Sequence, residues 1–161
     1  MTEFISIVMA HQLEAIVDVR SYPGSKRYPH FNREQLAEAL ASHGISYYHL
    51  AALGGRRRPE PDSHNTAWQH PAFRAYADYM ESETFLEGIA SLRAIAEEKR
   101  SAIMCAEAVW WRCHRGLISD FLKAQGALVL HISEARRTEE HPFTSAARIV
   151  DGELTYRGLL P

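Results

Sequence analysis

Four short apolar runs, AIVDV (15–19), SYYHL (46–50), AIMCA (102–106) and ALVLHI (127–132), are separated by segments whose apolar residues recur at helical spacing. Runs this short and rich in β-branched or aromatic residues read as buried strands. Strands that alternate with helices pair in parallel, because each helix returns the chain to the edge it left. The expectation is a three-layer α/β domain: a mainly parallel sheet with helices on both faces, followed by a short C-terminal hairpin in which ARIV and ELTY flank Asp151-Gly152. At 161 residues, 46% of them hydrophobic, one domain spanning 1–161 is expected.

The helices carry signals of their own. MTEFISIVMAHQ (1–12) has a helical pattern. Asn32 stands where a cap is needed, with Gln35 completing a capping box, Leu36 and Leu40 on one face and Gly44 as terminator. Residues 71–80 form another helix, and Thr84 with Glu87 repeats the capping-box pattern ahead of Phe85, Ile89, Leu92 and Ala96. Residues 113–124 place Leu117, Ile118, Phe121 and Leu122 inward, with Gly126 behind them. The stretch AALGGRRRPEPDSHNT (51–66) bars regular structure, and a loop of that length needs a reason to exist.

In an open parallel sheet, ligands bind beyond the carboxyl ends of the strands. The loops after Val19, Leu50, Cys105 and Ile132 therefore define the expected site, and its chemistry is densest in CAEAVWWRCHR (105–115). Cys105 ends a strand, while Cys113, His114 and Arg115 open a helix, where unpaired N–H groups and the helix dipole favour anions and thiolates. Cys105, Glu107, Cys113 and His114 form the expected catalytic set: either cysteine as nucleophile, with Glu107 or His114 moving protons. Asp18 and Arg20 share one side of the first strand, and Ser25, Lys26 and Arg27 follow in its loop. With Arg115 these residues are expected to bind an anionic substrate, Arg20 and Arg115 acting as a cationic clamp.

Each of these residues also has a structural use. Asp18 and Arg20 make a structural ion pair, Cys105 suits a buried strand as an inert thiol, and His131 suits a core histidine with its hydrogen bonds satisfied. Trp110 and Trp111 pack a loop as readily as they stack on a base, Arg56, Arg57 and Arg58 read as a solvated run, and Tyr47, Tyr48 and His49 divide between core and site edge. Cys105, Cys113, His114 and His131 are zinc-ligand types, but there is no Cys-x2-Cys spacing, and neighbours on a helix point about 100° apart. No metal and no cofactor is expected.

Eighteen basic against 20 acidic residues give a net charge of -2, which excludes a wholesale neutraliser of nucleic acid. A local basic face of Lys26, Arg27, Arg33 and the loop arginines keeps a nucleic-acid partner in view. No stretch approaches the roughly 20 apolar residues of a membrane span. The N-terminus has no signal-peptide pattern, and two cysteines make no secreted disulfide framework. A soluble, cytoplasmic protein with no membrane partner is expected.

In order, IVDVRSYPGSKRYPHFN (16–32), YYHLAALGG (47–55), Cys-x-Glu-x5-Cys-His-Arg (105–115) and HI (131–132) resemble the bacterial family called domain of unknown function 488, across nearly the whole chain. The resemblance implies that Asp18, Arg20, Pro23, Ser25, Cys105, Glu107, Cys113, His114 and Arg115 belong to a family signature; it implies no reaction. Similar proteins begin with a strand and loop reading Thr-Ile-Gly-His-Ser, whereas this sequence starts at MTEFISIVMAHQ. An edge strand and a His-bearing loop beside Asp18 and Arg20 are therefore expected to be missing. The order of strand, Cys, loop and helix is also similar to rhodaneses and cysteine phosphatases. Those sites need Cys-x5-Arg, and six residues separate Cys105 from Arg112. The expected function is an enzyme acting on a small anionic, nucleotide or nucleic-acid-derived substrate, with a nucleic-acid binding module and a thiol-based redox or ligand sensor as the alternatives.

Overall fold

The computed structural model describes residues 1–159. At its centre β1 (Ala15–Asp18) lies between β2 (Ser46–His49) and β3 (Ser101–Met104), all parallel, with Val17 opposite Tyr48 on one side and Ile103 on the other. Every residue of β1 is buried, as a strand covered on both faces requires. Ile16 packs on Ile5 and Val8 of α1 (Thr2–Ala10) and on Leu36 and Leu40 of α2 (Arg33–Ala41). Val17 and Val19 point the other way, into Tyr76 of α3 (Pro71–Tyr79), Phe85 and Ile89 of α4 (Glu83–Glu98), and Leu117 and Ile118 of α5 (Arg115–Ala124). The three expected layers result. Among the described residues no helix is long and apolar enough to cross a membrane.

The fourth apolar run does not extend the parallel sheet. β4 (Leu130–Glu134) instead folds back on β5 (Arg137–Glu140) as an antiparallel hairpin, leaving β3 at the sheet edge. The tract that follows the run, SEARRTEE (133–140), is polar on both sides and has no place in a sheet buried on both faces, so it carries the strand out toward solvent. The terminal hairpin forms as expected. β6 (Arg148–Val150) and β7 (Glu153–Thr155) flank Asp151 at φ 51° and Gly152 at φ 81°, the left-handed pair that a tight hairpin turn demands.

Helix starts differ in detail. Ser82, not Thr84, caps α4, its hydroxyl accepting the Phe85 N–H at 3.2 Å, so Thr84 lies inside the helix. Asn32 holds the cap position of α2, but its Oδ1 accepts the N–H of Ser25 and so ties the loop after β1 to the helix. The long loop after β2 is held by its own Arg57 and by two tyrosines of α3. Arg57 Nε and NH2 donate to the carbonyls of Gly54 and Ala51, its guanidinium lies 3.6 Å over the Tyr79 ring, and the Tyr76 and Tyr79 hydroxyls donate to Leu53 and Ala52.

Candidate functional site

The carboxyl ends of β1 and β3 and the loop after β2 meet at a cleft of about 330 Å³, whose lining includes Arg20, Tyr22, Arg56, Cys105, Glu107, Arg112, Cys113 and His114. Cys105 follows the last residue of β3. Cys113 sits in extended backbone between a short 3-10 turn, Trp110–Arg112, and α5, so the helix begins two residues later than the sequence pattern implies. Within this turn the Trp110 ring stacks on His131, centroids 4.5 Å apart and planes 6° from parallel. Trp111 is exposed.

The two sulfurs lie 2.6 Å apart. Cys113 is buried, and two donors reach its sulfur, the Arg115 N–H and Nε, each at 3.4 Å; His114 Nδ1 also lies 3.4 Å away. His114 Nε2 is 2.9 Å from the Val19 carbonyl oxygen, which only accepts, so that nitrogen carries a hydrogen and Nδ1 is left to face Cys113. The hydrogen bond from Cys105, then His114 and the charge of Arg115, hold the Cys113 thiol well below its ordinary value against the opposing effect of burial. Cys105 moves the opposite way, raised by its hydrogen bond to Cys113 and by burial. The sulfur with more donors keeps the charge: Cys105 receives one backbone N–H, from Glu107 at 3.3 Å, whereas Cys113 receives the Arg115 N–H and Nε.

Two glycines set the position of His114 and of the cleft wall. A side chain on Gly55 would place its Cβ 2.6 Å from His114 Nδ1, and one on Gly54 would meet Ser21 Oγ at 2.5 Å and its Cα at 2.9 Å. Ser21 Oγ in turn accepts the Arg56 N–H at 3.0 Å, which docks the long loop onto the loop after β1.

Asp18 and Arg20 come together, but with each other. The fully buried Asp18 carboxylate accepts Arg20 Nε at 2.9 Å, NH2 at 2.6 Å and the backbone N–H at 3.1 Å, together with the Tyr47 hydroxyl at 2.6 Å. Burial works against the Arg20 charge, and the Asp18 contacts outweigh it. Burial, then the bond to Asp18, keeps Tyr47 a phenol. Arg20 NH2 also donates to the Phe31 carbonyl, and His49 Nε2 to the Arg20 carbonyl. Asp18 is thus inside the protein, and Arg20 presents an edge to the cleft.

Arg115 does not oppose Arg20 across the cleft. It holds the Cys113 sulfur and the Glu107 carbonyl, and it lines a different hollow, toward β4. The Glu107 side chain is exposed on the rim. Ser25 accepts the Tyr28 N–H, and Lys26 and Arg27 are exposed, with Arg27 over the Tyr28 ring; none of the three lines the cleft. The cations that do line it besides Arg20 are Arg56 and Arg112. Arg112 was legible as the neighbour of Cys113, and Arg56 as part of the arginine run.

A buried network beside the site has no short-range sequence signal. Asp120, fully buried on α5, accepts His141 Nε2 at 2.8 Å, the Thr144 N–H at 2.9 Å and the Tyr156 hydroxyl at 2.7 Å, and His141 Nδ1 pairs with His131 Nε2 at 2.7 Å. His131 is therefore a satisfied, half-buried histidine, with its pKa lowered to about 4 by burial, His141 and Arg115. Among the described residues no three His, Cys, Asp or Glu side chains converge as a metal ion would need.

The family model described as "Domain of unknown function DUF488" matches residues 1–122. The chain belongs to that family. Both cysteines, His114 and Arg115 of this DUF488 member lie inside the matched residues, whereas His131, His141 and Tyr156 of the buried network lie beyond them. Searches of curated proteins and of solved structures returned no match.

Proposed function

We propose that this DUF488 member is an enzyme whose nucleophile is the Cys113 thiolate, acting on a small anionic substrate of the size and charge of a nucleotide or a nucleic-acid fragment. The observation that carries this reading is the convergence of His114 Nδ1, the Arg115 N–H and Arg115 Nε on one cysteine sulfur at the wall of a cleft. The arrangement is that of a preformed thiolate: the donors are fixed by the fold and lose no order when the charge forms. With the Arg20 charge met by Asp18, Arg56 and Arg112 give the cleft two cations against the one carboxylate of Glu107, and this balance selects an anion. His114 Nδ1 sits beside the sulfur to take up the thiol proton and pass it to a leaving group, and exposed Glu107 is placed at the mouth to exchange protons with water. Arg115 serves the nucleophile rather than the substrate.

Charge selectivity of alkylation tests the proposal. Relative to their rates with glutathione, anionic iodoacetate should label Cys113 faster than neutral iodoacetamide, inorganic phosphate should slow that labelling, and Arg56→Ala with Arg112→Ala should abolish the preference. Equal relative rates for the two reagents, with no protection by phosphate, would overturn the reading.

A further inference from the structure

A nucleophilic thiolate needs donors around it, but it does not need a second cysteine in contact. Here the second thiol is closer than any acid, base or cation: Cys105 Sγ lies 2.6 Å from Cys113 Sγ, about half an ångström beyond a disulfide bond length of roughly 2.05 Å. The two sit on opposite sides of an exposed turn. Cys105 follows the last residue of β3, Cys113 precedes α5, and Ala106, Glu107 and Ala108 between them are exposed. Both sulfurs border the same cleft. The pair also divides the labour of thiol oxidation, with a buried, donor-rich sulfur beside a more exposed one that keeps its proton.

We propose that Cys105 and Cys113 are a reversible dithiol–disulfide couple closed by peroxides, which turns the thiolate site off under oxidation and on under reduction. This deepens the nucleophile reading and rests on it. In the first step the Cys113 thiolate attacks one oxygen of the hydroperoxide: an S–O bond forms, the O–O bond breaks, and the departing oxygen takes a proton and leaves as water, or as an alcohol from an organic peroxide. In the second, the Cys105 sulfur attacks the Cys113 sulfenic acid: the S–S bond forms, the S–O bond breaks, and the Cys105 proton leaves with the hydroxide as a second water. Two electrons pass from the sulfurs to the peroxide oxygens, and a dithiol reductant such as dithiothreitol returns them. Closure removes the anion that Arg115 holds, so the site loses its nucleophile without unfolding. Cys105 protects Cys113 from oxidation beyond the sulfenic stage, which thiols do not reverse.

The reduced full-length protein treated with equimolar hydrogen peroxide is the test, read by free-thiol count, intact mass and dimedone trapping. Wild type should lose both thiols and the mass of two hydrogens, stop reacting with iodoacetamide, and recover fully with dithiothreitol. Cys105→Ser should instead accumulate a dimedone-reactive Cys113 and, with excess peroxide, a sulfinic acid that dithiothreitol leaves in place. If wild type gains oxygen at Cys113 but keeps Cys105 free, the disulfide proposal is overturned while the nucleophile reading stands. If peroxide and iodoacetamide both meet Cys113 no faster than free cysteine, both fail together.

Discussion

Replacing Asp18 by Asn separates a structural role for the Asp18–Arg20 pair from a role in gripping substrate. The substitution keeps the shape of a side chain that is 0% exposed and removes its charge, leaving Arg20, 8% exposed, without its counter-ion. Three donor groups of Arg20 and the Tyr47 hydroxyl, at 2.6 to 3.1 Å, then meet an amide whose NH2 faces donors instead of acceptors. Removing one partner of a buried ion pair costs about 3–5 kcal/mol, because the surviving charge stays desolvated. In a chain of this size each kcal/mol lowers Tm by about 2–4 °C, so the expected fall is about 6–20 °C. Urea and thermal unfolding followed by circular dichroism measure it. Asp18→Leu with Arg20→Met and Tyr47→Phe replaces the polar cluster by apolar side chains of similar volume and should recover more than half of the loss. An Asp18→Asn protein within about 1 kcal/mol of wild type would refute the argument that this pair anchors the loop between β1 and α2.

Gly55→Ala should cost about 1–3 kcal/mol by overpacking and should slow alkylation of Cys113 below neutral pH, because the new Cβ, 2.6 Å from His114 Nδ1, pushes the ring off the sulfur. A stable Gly55→Ala protein with unchanged Cys113 reactivity would remove His114 from the account. His131 gives the protein an acid-sensitive limb. Its folded pKa is near 4 against 6.5 for the unfolded chain, so the unfolded state takes up a proton in that window that the folded state refuses, and stability falls as pH drops from 6.5 toward 4. Urea midpoints across that range should flatten in His131→Gln; an identical slope in the two proteins would contradict the assignment.

The three layers were legible because each parallel strand is a short apolar run: AIVDV, SYYHL and AIMCA each became one, shortened by one or two residues at the carboxyl end, with the third starting one residue earlier at Ser101. ALVLHI has the same look and a different fate, since the polar tract behind it, rather than the run itself, decides its partner. The thiol cluster was legible from Cys105, Cys113, His114 and Arg115 lying within eleven residues. Period-two alternation likewise put Asp18 and Arg20 on one side, but it could not say that they would consume each other's charge. What stayed hidden depends on chain segments far apart in sequence. Gly55 touches His114, and Asp120 holds His141 and Tyr156, contacts that no local spacing encodes. The Arg115 orientation was hidden for a different reason: one side chain had two anionic or polar sites within reach, the cleft and the neighbouring sulfur, and the nearer one won.

The central claim is that the fold makes Cys113, and not Cys105, the thiolate. Peptide mass spectrometry of each cysteine's alkylation rate against pH, on the reduced protein, reads that directly. Cys113 should titrate well below the roughly 8.5 of a free thiol and react at full rate at neutrality, while Cys105 should remain unreactive until far higher pH. Two coincident titrations near the free-thiol value, or a Cys105 more acidic than Cys113, would contradict it.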